Sequence, residues 1–240
     1  SNMGELCVRS VLVTGANRGL GLGFVQHFLR MPNPPQWIFA TCRDPKGQRA
    51  QVRPGWEAVA VRGYGSSWSR GWEHLVPGGD WNRDGVCKEL QLQLGTHGPG
   101  QLGWYTVGAA AFLPLLKKAA QGSPGSGLSC SKAAIVNISS IGGSIASSFG
   151  WDMMQLVSYR CSKAALNMLS KCQSLAYKEH GILCVALHPG WVQTDLGSSA
   201  GHTPPVTVDD SVQGMLKVIS SLSEKDTGAF LDWEGKVIPW

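Results

Sequence analysis

Charge is scarce in this chain. Only 15% of its 240 residues are Asp, Glu, Lys or Arg, against about 25% in an ordinary soluble domain. The net charge of +5 includes no run of like charges and no basic stripe interleaved with aromatics, so no nucleic-acid partner is expected. No apolar stretch reaches the ~18 residues that a membrane-spanning helix needs, so no membrane partner is expected either. The opening residues, Ser1-Asn2-Met3-Gly4-Glu5, lack the charged-then-apolar order of a secretion signal. Among seven cysteines and six histidines there is no C-x-x-C and no H-E-x-x-H, which leaves no zinc, redox or other metal motif. The odd number and irregular spacing of the cysteines fit reduced thiols in a cytoplasmic protein. One absence is local. No isoleucine occurs from residue 39 to residue 134, and residues 54–104 hold eleven of the 31 glycines and five of the ten tryptophans.

Outside that stretch the chain is punctuated as alternating strands and helices. Residues 9–14 form a short apolar run ending in glycine, as a buried parallel strand does. Leu20, Phe24, Val25, Phe28 and Leu29 then fall at helical spacing, and three prolines in 31–35 end that helix. Residues 37–42 predict a second strand, 111–120 a helix with Pro114 early, 122–131 a Gly/Ser loop, and 133–138 a strand. A long helix follows over 158–180, with an apolar stripe through Ala165, Leu166, Leu169 and Leu175. Residues 182–187 predict a strand closed by His188-Pro189-Gly190, 209–222 a helix, and 229–231 a last short strand. This alternation predicts one α/β domain over 1–240, with a Rossmann-like doubly wound parallel sheet.

Residues 54–104 lack this order. Residues 58–61 are the candidate third strand. Leu90-Gln91-Leu92-Gln93-Leu94 alternates as a half-exposed strand would, whereas a central strand covered on both faces should be near-continuously apolar. Burying Gln91 and Gln93 unpaired would cost ~1–3 kcal/mol each. The expectation is that this segment stays out of the sheet centre, that the central strand is disrupted, and that 63–104 is the least ordered part of the chain.

The first chemical signal is Gly15-Ala16-Asn17-Arg18-Gly19-Leu20-Gly21, between a strand and a helix. Gly15 permits a tight turn, Gly19 and Gly21 admit a pyrophosphate and close packing, and the helix N-terminus offers free N–H groups to phosphate. The second strand ends Thr41-Cys42-Arg43-Asp44. Arg43, helped by Arg18 within the turn, suits the 2′-phosphate of NADP(H). Asp44 keeps NAD open if it, and not Arg43, faces the ribose.

The second signal is Tyr159-Arg160-Cys161-Ser162-Lys163. Tyr159 and Lys163 stand four apart and share a helix face. A phenol with a pKa of ~10 is a poor acid–base group at neutral pH, and a nearby ammonium should lower that value. Upstream, Val136-Asn137-Ile138-Ser139-Ser140 ends a strand with hydroxyls that could bind a reacting oxygen. Downstream, Pro189-Gly190-Trp191-Val192-Gln193-Thr194 leaves another strand end, where open α/β sheets bind ligands.

Together these residues resemble the short-chain dehydrogenase/reductase family, and within it the carbonyl reductases of the sniffer or C-factor type. The likeness covers residues 8–52 and 107–240, including Ala40-Thr41-Cys42-Arg43-Asp44-Pro45, the Asn137-to-Ser140 strand end and the Pro189-to-Thr194 turn. It implies a parallel sheet of about seven strands, NADP(H) as cofactor, and a small-molecule carbonyl substrate reduced by hydride transfer. Ser140, the second of the Ser-Ser pair, Tyr159 as proton donor and Lys163 would form the catalytic set. Lys163 would also hold the nicotinamide ribose and lower the Tyr159 pKa. Gly15, Asn17, Arg18, Gly19, Leu20, Gly21, Arg43, Pro189, Val192 and Thr194 would complete the cofactor contacts, with Tyr159 and Lys163.

The same resemblance marks where this chain departs. The family's Asn-Asn-Ala-Gly segment has no counterpart in 54–104. Arg62-Gly63-Tyr64-Gly65 stands where an acidic residue near the adenine is usual. The asparagine of the following helix is also missing, with Trp104-Tyr105-Thr106-Val107-Gly108-Ala109-Ala110-Ala111 in that region. Three readings therefore stand: an NADPH-dependent carbonyl reductase, a catalytically silent protein that binds nucleotide or acts through contacts, and an aberrant product carrying out-of-frame or noncoding text at 54–104. Substrate identity and oligomeric state are not legible.

Overall fold

A computed structural model describes residues 6–41, 89–94, 101–123, 127–152 and 155–240. Arg43, Asp44, the candidate strand at 58–61 and residues 62–88 lie outside the described residues.

Among the described residues, six parallel strands form one sheet in the order β2-β1-β3-β4-β5-β6. β1 is Ser10–Thr14, β2 Trp37–Thr41, β3 Glu89–Leu94, β4 Ala133–Ile138, β5 Leu183–His188 and β6 Phe230–Asp232. The α-helices among the described residues are α1, Gly19–Arg30; α2, Gln101–Gly122; α3, Val157–Tyr177; and α4, Val208–Ser221. The doubly wound fold predicted from the alternation is present. None of the described helices is long and apolar enough to cross a membrane.

Both faces of the sheet are covered, and the strands explain why. Ala133 to Ile138 is buried at every position. Ala134, Val136, Leu183, Val185 and Leu187 join Phe24, Val25 and Phe28 of α1 and Val212, Met215 and Ile219 of α4 in the larger core. Ala133, Ile135 and Cys184 point the other way, against Leu116 and Ala119 of α2. Alternate residues thus serve opposite faces, as the two-residue period of a strand requires. Cys130, Cys161, Cys172 and Cys184 carry free thiols.

Three expectations are corrected. β3 does occupy the sheet centre, paired on one side with β1 and on the other with β4. A strand between β1 and β4 closes the backbone hydrogen bonds of both, a gain that residue polarity alone did not reveal. Gln93 is the register partner of Asn137, which is itself buried and hydrogen-bonded. α2 begins at Gln101, ten residues before the expected start, with Pro114 inside it. Finally, the apolar stripe expected on α3 is not its buried face. Leu166 is buried, but Leu175 is 70% exposed, and the inward positions are Lys163, Asn167, Ser170, Gln173 and Ser174. The inward surface is polar because it meets Asn137, which donates to Ser170 Oγ and Gln173 Oε1 at 2.8 Å each. Leu29, in the apolar series of α1, is 41% exposed.

Candidate active site

The turn after β1 is built for close approach. Gly15 and Gly19 have φ of +65° and +52°, a region that costs glycine little and other residues more. A Cβ on Gly21 would lie 2.7 Å from the Gly15 carbonyl carbon, so only glycine lets α1 start this near the strand end. Arg18 caps the helix without a side-chain hydrogen bond, and the first turn carries no acidic residue. The N–H groups at this helix start and its positive dipole end therefore suit a phosphate. Asn17 and Leu20 sit in the same turn, on either side of Arg18 and Gly19.

The turn after β5 meets the glycine turn. The Thr194 methyl is 3.5 Å from the Cβ position of Gly19, and Arg18 pairs with Asp195. Both partners are about half exposed or more, at 49% and 68%, so the pair is worth at most about 1 kcal/mol. Val192 bridges to Val206, the Trp191 indole N–H donates to the Gly197 carbonyl at 2.9 Å, and Gln193 Nε2 donates to the Pro204 carbonyl at 3.0 Å. These bonds fold 191–206 back on itself beside the glycine turn. Pro189 is tied down by Ser211 of α4, whose hydroxyl donates to its carbonyl at 2.6 Å.

The proton-transfer candidates gather at the same carboxyl edge of the sheet. Ser140 follows β4 and is 9% exposed. Its hydroxyl accepts from the Gly142 N–H at 3.1 Å and bonds to the side chain of Tyr159, near the start of α3. One turn on, Lys163 is 6% exposed. Its Nζ donates to the Ile138 carbonyl at 3.0 Å and lies 5.9 Å from the centre of the Tyr159 ring.

The electrostatics correct one expectation. The Tyr159 phenol is pushed above its usual value, because burial disfavours the phenolate more than the Ser140 hydrogen bond favours it. The lysine ammonium is not what sets it. Lys163 is itself pulled down to about 8 by burial and is turned toward the Ile138 carbonyl. Ligand-free Tyr159 thus keeps its proton at neutral pH, as a proton donor must.

Four neighbours were given no individual role by the sequence reading. Ser139 donates to Asn167 Oδ1 at 2.5 Å, both residues being 3% exposed. Asn167 stands four residues after Lys163, and that spacing was the available signal. His188 ends β5 opposite Asp232, and burial lowers its pKa to about 4, Lys163 adding in the same direction against Asp232. Gly142 lies against the site, its Cβ position 3.4 Å from Ser140 Oγ and 3.6 Å from the Tyr159 ring. Arg43 is outside the described residues, so its place relative to Arg18 is not part of this geometry.

Comparison with known proteins agrees with this architecture. A profile of the short chain dehydrogenase family matches residues 108–204. The NADPH-bound carbonyl reductase from chicken fatty liver is 50% identical, covering 100% of this chain and 97% of that one, with a TM-score of 0.81. The carbonyl reductase Sniffer of D. melanogaster is 31% identical, covering 97% of this chain and 100% of that one, with a TM-score of 0.79. The C-signal protein of Myxococcus xanthus is 46% identical over 82 residues, which span 34% of this chain and 48% of that protein. The chain belongs to the short-chain dehydrogenase/reductase family, as the residues quoted from its sequence suggest, and its likeness includes both sniffer-type and C-factor-type relatives.

Proposed function

We propose that this protein is an NADP(H)-dependent reductase of small carbonyl compounds. The observation that carries the reading is the Ser140–Tyr159 hydrogen bond with Lys163 one turn along the same helix, at the sheet edge where the glycine turn opens. The chicken-liver relative, NADPH-bound and a carbonyl reductase, supports the same cofactor and chemistry.

The residues present fit the cofactor. A Cβ at residue 21 would collide with the Gly15 backbone, so glycine there keeps the turn tight against the helix, and the uncapped start of α1 suits the pyrophosphate. Arg18 would exchange Asp195 for the 2′-phosphate. Pro189, Val192 and Thr194 would border the nicotinamide end. The bound cofactor supplies the hydride. Ser140 Oγ hydrogen-bonds the substrate carbonyl oxygen and orients it toward Tyr159. The phenol gives its proton to that oxygen as negative charge develops. Lys163, cationic at pH 7, stabilises the phenolate left behind and holds the ribose hydroxyls.

The test is reduction of a panel of small aldehydes and ketones by the purified protein, followed by loss of the NADPH absorbance. NADPH oxidation dependent on carbonyl, with the alcohol recovered in equal amount, is the expected result. Tight NADPH binding without turnover of any member would favour the silent nucleotide-binding reading instead.

A further inference from the structure

We infer that Asn167 is a positioning residue, which through Ser139 holds Ser140 in line with Tyr159. The inference rests on the reductase reading for its kinetic consequences but not for its geometry.

Two elements bring the reacting groups together. Ser140 comes from the end of β4, and Tyr159 and Lys163 come from α3. Proton transfer needs these two elements to keep a fixed offset along their lengths, because a hydrogen bond weakens within a few tenths of an ångström and a few tens of degrees. Three connections set that offset. Lower down, Asn137 donates to Ser170 and Gln173. At the top, Lys163 Nζ donates to the Ile138 carbonyl. Between them, Ser139 donates to Asn167 Oδ1 at 2.5 Å and lies 3.5 Å from the Lys163 carbonyl.

The middle connection is the one adjacent to the chemistry on both sides. Ser139 immediately precedes Ser140, and Asn167 is one turn from Lys163 and two turns from Tyr159. It is also enclosed, with both partners 3% exposed, so water does not readily replace the lost partner. The Ser139 amide adds a second fixing point, donating to the Leu187 carbonyl of β5 at 2.7 Å. Beyond Ser140 the chain comes down on the same helix turn. A Cβ at Gly143 would lie 2.6 Å from the Lys163 carbonyl carbon, so the backbone after Ser140 rests directly on α3. Ser140 is therefore held from both sides, by Ser139 on Asn167 and by Gly143 on Lys163. Asn167 touches no reacting atom, and its effect passes entirely through Ser139.

Two variants break the bond from opposite ends. In Ser139→Ala the donor is lost, and in Asn167→Leu the acceptor is lost at similar volume. Each should lower kcat by about 10- to 100-fold, since small misplacements of a reacting group cost this much. KM for NADPH and its directly titrated affinity should stay within about twofold, because neither Ser139 nor Asn167 is among the residues that would contact the cofactor. The double variant should lose no more than the worse single one, because both remove one shared bond. Crystal structures of the two single variants should show the Ser140 hydroxyl displaced from Tyr159, a readout that needs no turnover. Unchanged kcat, multiplicative losses in the double variant, or an intact Ser140–Tyr159 bond in both variant structures would each overturn the inference. A wild-type protein without reductase activity would remove the functional reading, and the variant structures alone would then decide the role of Asn167. Should Asn167→Leu fail to fold, Ser139→Ala carries both the kinetic and the structural readout.

Discussion

Replacing Lys163 by methionine should make the ligand-free protein more stable at pH 7 while removing its function. The lysine is 6% exposed, with the Ile138 carbonyl as its one hydrogen-bond acceptor among the described residues. Burial lowers its pKa from 10.5 to about 8. The unfolded chain thus holds a proton at this site over a range where the folded chain has released it. Stability should rise with pH from about 8 to about 10.5, and below that window the whole cost of the buried ammonium is present. A fall of that size corresponds to about 3 kcal/mol. Relaxation and water entry reduce such penalties, so about 1–3 kcal/mol is the expected gain for Lys163→Met at pH 7. The gain should have nearly vanished by pH 10.5, where folded wild-type Lys163 is neutral and only about half of the unfolded chains still hold the proton. Urea unfolding of both proteins at pH 7 and pH 10.5, without cofactor, measures this directly. Parallel pH profiles, or a variant less stable at pH 7 than wild type, would refute the reasoning. The site would then be better solvated than its geometry indicates, or the Ile138 bond would outweigh the burial cost.

Tyr159→Phe should abolish carbonyl-dependent NADPH oxidation with NADPH affinity nearly unchanged; wild-type turnover in this variant would end the tyrosine mechanism. Arg18→Ala should weaken NADPH by about 10- to 100-fold for one charge-assisted phosphate bond, and leave NADH almost untouched, as read by nicotinamide fluorescence. Asp195→Asn should do the opposite on a smaller scale, tightening NADPH by less than about fivefold, because an exposed ion pair competes for Arg18 by at most about 1 kcal/mol. His188, held neutral by burial with a pKa of about 4 against an ordinary 6.5, should make the protein lose stability as pH falls through that interval, since only the unfolded chain takes up this proton. His188→Asn should flatten the acid limb of a thermal-unfolding series, and an unchanged limb would assign acid sensitivity elsewhere.

What could be read from the sequence follows from which constraints are local. The glycine turn was legible because each requirement acts within seven residues: positive φ at Gly15 and Gly19 and close approach at Gly21 leave little choice of side chain. β4 and β5 were legible because strands covered on both faces must be apolar at successive positions. α3 misled because its buried face is polar, and a periodicity argument assigns Lys163, Asn167, Ser170 and Gln173 to solvent. What holds them inside is long-range: the Asn137 amide that bonds Ser170 and Gln173 is more than thirty residues away in sequence. β3 misled for a related reason. The alternating glutamines point to an edge, but the backbone pairing demanded by β1 and β4 places the strand between them. The Tyr159 pKa was read from one neighbour, the lysine four residues away, whereas burial from all sides outweighs any single contact. Asn167 carried a helical spacing from Lys163 and Ser139 a place beside Ser140, but they became visible as a pair only in space.

The central claim is that the turn at Gly15 to Gly21 and the Ser140–Tyr159–Lys163 cluster form one NADP(H) site. Titration of the purified wild-type protein with NADPH and NADH, followed by enhancement and blue shift of nicotinamide fluorescence, tests it most directly. Saturable binding of NADPH at one site per chain, at least about tenfold tighter than NADH and weakened by Lys163→Met, is the predicted result. No saturable NADPH signal, or equal affinity for the two cofactors with no effect of Lys163→Met, would contradict it.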